Sequence, residues 1–127
     1  MSLVRISLIK GRAPDFGRRV GAIVYRSMLD TIALPAQDNF QIINEIAEGD
    51  LVYDPSYLDI ARSDGIIVIE VTLNEGRSVE RKRDLFAAIV EHLHDELGVR
   101  KEDVLINLVE VRKENWSFGN GIAQYAR

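Results

Sequence analysis

Two arginines stand directly after a glycine in matching settings: Gly11–Arg12 closes VRISLIKGR and Gly76–Arg77 closes IEVTLNEGR. Each pair follows a run that reads as a strand and precedes one that reads as a helix. Free backbone N–H groups and the helix dipole favour anions at such a junction. A guanidinium placed there can hold a carboxylate through two parallel hydrogen bonds. Either arginine alone also reads as a solvated turn residue; their repetition suits a pair of carboxylate clamps for a small dianionic or oxo-acid substrate. Asp38, in LPAQDNFQI before a further strand, is a candidate for holding or activating water. A turn aspartate is the plainer reading, and its counterpart Asp103 in KEDVLI looks structural. The tail NWSFGNGIAQYAR brings Trp116, Phe118 and Tyr125. These aromatics pack down, or supply an apolar wall that desolvates an amine and lowers its pKa. His92 and His94 do not make a metal pair: two residues apart on a helix they point roughly 200° apart, whereas a ligand pair wants i,i+4. Tyr53 and Tyr57 are possible pocket residues that read more simply as packing.

The elements that must position these groups occur twice. Shifted by 65 residues the sequence overlies itself without a gap, so that Leu8 meets Leu73, Arg18 meets Arg83, Asp38 meets Asp103 and Glu45 meets Glu110. The spacing reads as a duplicated unit, with repeats at 4–46 and 69–111, a connector at 47–65 and an aromatic tail at 112–127. Each copy reads strand, helix, strand. The strands are expected at Leu3–Ile9, Phe40–Ala47, Ile66–Leu73 and Val104–Val111. The first helix is expected from about Pro14, with an apolar stripe of Val20, Ile23, Val24, Met28, Leu29 and Ile32. The second starts after Ser78, carries Phe86, Ile89, Val90, Leu93 and Leu97, and ends at Gly98. Strand–helix–strand units of this length pair their strands in parallel. The expected fold is therefore an α/β (α+β) single domain over 1–127: a tandem β-α-β repeat forming a four-stranded sheet with two helices on one face. Val4, Ile6 and Leu8 share phase with Ile69, Val71 and Leu73 and should meet the helices. The opposite face, with Arg5, Ser7, Glu70 and Thr72, is expected to meet other subunits with its charges paired.

Composition narrows the function. The 127 residues carry 16 basic and 20 acidic side chains, a net charge of −4, which gives no electrostatic reason to bind nucleic acid. With no cysteine, disulfides, thiolate metal sites and a cysteine nucleophile are excluded. No apolar run approaches the roughly 18 residues of a membrane span, and Arg5 and Lys10 interrupt the opening segment. A cytoplasmic protein with no membrane partner is the expectation. The first strand opens at the start of the chain, which is expected to put the terminal amine at a fixed, partly buried place.

A strand at the terminus, the duplicated unit, GR after the first strand, the PxxDxFQI run at 35–42, YDPSYLDIARSD, TLNEGRS, VLINLVEV and ENWSFGNGIAQ together resemble the tautomerase superfamily. The fused, double-unit form is similar to the malonate semialdehyde decarboxylase branch. The resemblance spans nearly the whole chain. It implies a homotrimer with sheets inward, and catalysis by an amino-terminal proline exposed on methionine removal, with no metal or organic cofactor. It also implies that Arg77 and Arg12 correspond to the family's arginines, that Asp38 takes the assisting aspartate's place, and that Trp116 and Phe118 form the aromatic wall. The implied activity is keto–enol tautomerisation of a small 2-oxo or 2-hydroxydienoate acid. Malonate semialdehyde decarboxylase or hydratase chemistry is the alternative, and a non-catalytic scaffold is a further one. Two departures stand out. Asn74 occupies the place of one member of the decarboxylase's arginine pair, and Ser2 stands where the family carries proline. Ser2 is therefore the catalytic position without its expected side chain, whether native or part of an added leader.

Overall fold

The computed structural model describes residues 1–126. Its regular elements are β1 (Ser2–Ile9), α1 (Phe16–Ile32), β2 (Gln41–Ile46), β3 (Ile67–Asn74), α2 (Val79–Leu97) and β4 (Val104–Val111). They form one sheet in the order β2-β1-β3-β4. β1 pairs with β2 in parallel and β3 with β4 in parallel, while the central pair β1 and β3 is antiparallel. Both helices therefore cross over on one side of a mixed sheet, the tautomerase-like β-α-β arrangement. The 65-residue offset carries β1 onto β3 residue for residue, and it carries the ends of α1 and β2 onto those of α2 and β4. Gly11 and Gly76 adopt the same left-handed backbone, φ 119° and 118°, which only glycine enters without strain.

The period of two along the strands sets the faces. Val4, Ile6, Leu8, Ile67, Ile69, Val71 and Leu73 are all 2% exposed or less and meet the helices. Opposite them lie Val20, Val24 and Met28 of α1 and Leu85, Ile89 and Leu93 of α2, each buried. Each such side chain contributes about 1.5–3 kcal/mol by leaving water.

Two expectations shift. α1 begins at Phe16 rather than near Pro14, because a turn closed by Phe16 N–H on Ala13 O (3.0 Å) precedes it. In α2 the buried stripe is Leu85, Ile89 and Leu93, while Phe86, Val90 and Leu97 are only half-buried. The helix is thus rolled by roughly 50° from the expected face, keeping Ile89 and Leu93 inward and exchanging Phe86 for Leu85. Its ends match the sequence: Ser78 Oγ accepts from Arg81 N–H (3.2 Å), and Gly98 at φ 66° closes the last turn onto His94 O (3.0 Å). Two lysine ion pairs pin α2 to its neighbours, Lys82 to Glu110 (2.7 Å) and Lys101 to Glu91 (2.8 Å). Donation from these lysines holds both carboxyls below their usual range.

The far face of the sheet is open. Ile42, Leu105 and Val109 are exposed there, around a central Arg5–Glu70 ion pair (3.9 Å) between directly opposed residues. The connector folds about Arg62, whose Nη1 donates to the carbonyls of Asp54, Tyr57 and Ile60 (3.3, 2.9 and 3.2 Å). Tyr53 and Tyr57 line a cavity of about 270 Å³ under it, with Val68 and Leu105. Tyr53 donates to Asp64 (2.7 Å), a bond that raises its phenol pKa.

Candidate active site

Because β1 and β3 run antiparallel, the start of each strand lies beside the end of the other: Ser2 is paired with Leu73, and Leu8 with Ile67. The arginine that follows β3 therefore reaches the start of β1, and the arginine that follows β1 reaches the start of β3. This crossing decides which predicted residues meet.

At the start of β1 three of them do. Asp38 is buried beneath the chain's first residues. Its Oδ1 accepts from Ser2 N–H (3.3 Å), and its Oδ2 lies 3.2 Å from the Met1 amine in an ion pair that lacks an aligned hydrogen bond. The turn carrying Asp38 is held by Asp38 N–H on Pro35 O (3.2 Å) and by Gln37 N–H on the Tyr25 hydroxyl (3.1 Å). Arg77 shares a cleft of about 420 Å³ with Met1, Asn74, Glu75 and Lys113. Its guanidinium donates from Nη1 to Asn74 O (3.0 Å) and from Nε to Ile32 O (3.3 Å), the last residue of α1. Ala33, in the left-handed region at φ 52°, turns the chain there without a glycine, a small strain beside the site. Both acceptors are neutral and fix the plane of the fork, while the guanidinium's charge adds to that of Lys82 in holding the Glu110 carboxyl low.

The aromatic tail forms the other wall. Trp116 stacks on Phe118 at 5.0 Å between ring centres, with Phe40 and Tyr125 at 6.1 and 6.0 Å from Phe118. Ser2, Leu3, Phe40, Trp116 and Phe118 line a smaller, mostly apolar cavity of about 230 Å³. Trp116 Nε1 donates to Asn74 Oδ1 (2.7 Å), which ties this wall to the end of β3. Asn74 is thus a positioning residue, with its carbonyl under Arg77 and its side chain under Trp116. The chain start sits between a cationic cleft and an aromatic one.

Arg12 is not brought to this site. It lies beyond the far end of β1, about 25 Å from Ser2 at roughly 3.3 Å per residue. There its Nη2 donates to Gly65 O (2.8 Å) and its guanidinium covers the Phe16 ring at 4.3 Å. It stands near Asp103, the counterpart of Asp38. Asp103 is buried and fully engaged by Ser63 N–H (2.8 Å), Ser63 Oγ (2.6 Å) and the Arg100 guanidinium (3.3 Å). A continuous chain through Ile67 occupies the place that the first residues hold in the other half. The second pseudo-equivalent site is closed by its own connector.

Lining residues that escaped the sequence reading include Leu3, Phe40, Glu75 and Lys113. Lys113 lies just past the second repeat and its 65-residue counterpart is Glu48, so the duplication carried no signal for it. His92 stands 3.5 Å from Glu96, and His94 Nδ1 lies 3.0 Å from Val99 O. Among the described residues no group of three histidines, aspartates or glutamates is gathered as a metal site.

The sequence profile of the Tautomerase_2 family, described as tautomerase enzymes, matches residues 38–119. The probable tautomerase YusQ of Bacillus subtilis (strain 168) is 41% identical over 124 residues, covering 98% of each chain. The chain belongs to the tautomerase family. The solved structure of FG41 malonate semialdehyde decarboxylase inhibited by 3-bromopropiolate is 36% identical, with a TM-score of 0.90 over 97% of this chain and 93% of that one. A fused 4-OT solved as a symmetric trimer is 23% identical, with a TM-score of 0.79 over 98% of both chains, and so shares the fold. In this tautomerase-family protein Asp38, Arg77, Trp116 and Phe118 lie around the start of the first strand, with serine in second place.

Proposed function

We propose that this protein is a keto–enol tautomerase of small 2-oxo or 2-hydroxydienoate acids. The observation that carries the reading is that Arg77 and the first residue line one cleft, over a buried aspartate. In this mechanism the free amine at the start of β1 takes the proton from the substrate's enol oxygen and returns it to carbon. Arg77 binds the carboxylate through its fixed fork and stabilises the negative charge that builds on the neighbouring oxygen. Asp38 orients the amine by accepting from it. Trp116 and Phe118 exclude water on one side. Once methionine is removed the working nitrogen is that of residue 2, already 3.3 Å from Asp38 Oδ1. No metal or organic cofactor has a role in these steps.

The similarity to FG41 malonate semialdehyde decarboxylase supports a second reading, decarboxylation or hydration of a three-carbon oxo acid. Against it, the single guanidinium of this cleft among the described residues is that of Arg77, since Asn74 takes the other place and is committed to Trp116.

Ser2→Pro, with methionine removal confirmed by mass spectrometry, separates the readings. The proline form is expected to ketonise phenylpyruvate at least ~10²-fold faster than the serine form, since a secondary amine then sits on Asp38. Faster decarboxylation of malonate semialdehyde than ketonisation would favour the second reading. Activity in neither assay would leave a scaffold that does no chemistry.

The assembly proposed with this function is a homotrimer in the cytoplasm, closed through the open sheet face. Exposed Ile42, Leu105 and Val109 around the Arg5–Glu70 pair provide an apolar surface with its central charges matched. Sedimentation at micromolar concentration should give three times the chain mass of 14.3 kDa. Leu105→Asp should shift that species toward monomer, and a wild-type monomer would refute the packing.

A further inference from the structure

The turn that carries Asp38 is strained, and one side chain from α1 holds it. Gln37 stands in the left-handed region at φ 68°, where an L side chain crowds its own backbone. Its N–H donates to the hydroxyl of Tyr25 (3.1 Å), twelve residues back on α1. The Tyr25 ring packs against the hydrophobic core, so the hydroxyl is an anchored acceptor. Asp38 N–H then closes on Pro35 O (3.2 Å) and Asn39 N–H on Gln37 O (2.9 Å). Among the described residues no other side chain bonds to the backbone of 35–39.

The repeat shows what the first half lacks. Val90 is the counterpart of Tyr25, and Glu102 that of Gln37. The second turn closes by Asp103 N–H on Arg100 O (3.0 Å), with Glu102 outside the left-handed region. There the carboxylate is gripped directly, by Ser63 and Arg100. Asp38 has no such partners. It accepts from Ser2 N–H and faces the Met1 amine, which are the groups it has to orient, and its Oδ2 is buried without an aligned donor. The place of this carboxylate is therefore set by the turn, and the turn by Tyr25.

We propose that Tyr25 is a positioning residue for the tautomerase reaction and acts through Asp38. Its hydroxyl keeps the strained turn in the one shape that aims the Asp38 carboxylate at the amine. Tyr25 lines neither cavity beside the start of β1, so it does not meet substrate there. This rests on the tautomerase reading, and the two fail separately.

Tyr25→Phe tests this, since it removes one oxygen, keeps the ring in the core and leaves the exposed Gln37 N–H to water. In phenylpyruvate ketonisation it should lower kcat by about fivefold, the contribution of one neutral hydrogen bond. KM should stay within about twofold, because Arg77 and the aromatic wall still bind substrate. In an Asp38→Asn background the same change should alter kcat by less than about twofold, since no carboxylate is left to aim. An equal loss in both backgrounds overturns the proposal, as does an unchanged kcat in the single variant or a loss carried by KM instead. If no form ketonises phenylpyruvate, the tautomerase reading fails alone, and hydrogen exchange at Asp38 N–H decides whether Tyr25 sets the turn. Exchange about tenfold faster in Tyr25→Phe supports it, and an unchanged rate overturns it.

Discussion

Replacing Arg77 by alanine is expected to lower kcat/KM for ketonisation by about 10²–10³-fold, the size of effect seen when one oxyanion donor is lost. The magnitude follows from how the side chain is held. Its two donations to Asn74 O and Ile32 O fix the plane of the fork before substrate arrives, so little order has to be imposed during reaction. Neither contact neutralises the guanidinium. The same contacts bound the effect on stability: two part-buried, solvent-screened bonds from a charged donor contribute about 1.5 kcal/mol each at most. Arg77→Ala should therefore melt no more than about 10 °C below wild type while losing nearly all activity. Arg77→Lys keeps the charge but not the parallel pair of donors, and should recover only a small part of the rate. A variant that melts normally and ketonises normally would remove Arg77 from the chemistry.

The two equivalent aspartates should fail in opposite ways. Asp103 accepts from a backbone N–H, a hydroxyl and a guanidinium, and joins the connector to the start of β4. Asp103→Ala strands the Ser63 donors in a buried place. Its cost should be about 3 kcal/mol, discounted for the half-exposed Arg100, and visible as a fall in melting temperature of roughly 10 °C. Activity per folded molecule should change little, because the Arg77 cleft lies at the other end of the sheet. Asp38 is as deeply buried, but its partners are the Ser2 N–H and the Met1 amine, at 3.3 and 3.2 Å. Asp38→Asn removes the charge that faces the amine and keeps the shape. It should lower kcat by about tenfold or more with a smaller change in melting temperature. Equal behaviour of the two variants in both measurements would show that Asp38 is as structural as its counterpart.

Much of this could be read along the chain, since local periodicity and turn chemistry are local properties. The alternation in VRISL and IEVTL placed Val4, Ile6, Leu8, Ile69, Val71 and Leu73 on the helix side, where they are buried. Ser78 and Gly98 marked the ends of α2 because capping is decided by residues three or four apart. The doubled Gly–Arg showed where a guanidinium would follow a strand, since the left-handed turn needs glycine at both places. The roll of α2 was not legible. Leu85 rather than Phe86 faces the core because the helix angle is set by what it packs against, not by its own apolar stripe.

The pairing of arginine with chain start was beyond the sequence for the same kind of reason. Two equal GR turns give no rule for which belongs to which strand. That was settled when β1 and β3 packed antiparallel, which sent Arg77 to the first residues and Arg12 to Gly65. Asn74 looked like a missing arginine, and only the fold shows it holding Trp116. Lys113 was one basic residue among 16 until β4 delivered it to the Arg77 cleft. By itself the sequence determined the strands, the helices, their inner faces and the kinds of groups available for chemistry, all matters of neighbours along the chain. The tertiary structure decided which of those groups share a cleft, because that depends on the direction in which distant strands lie side by side.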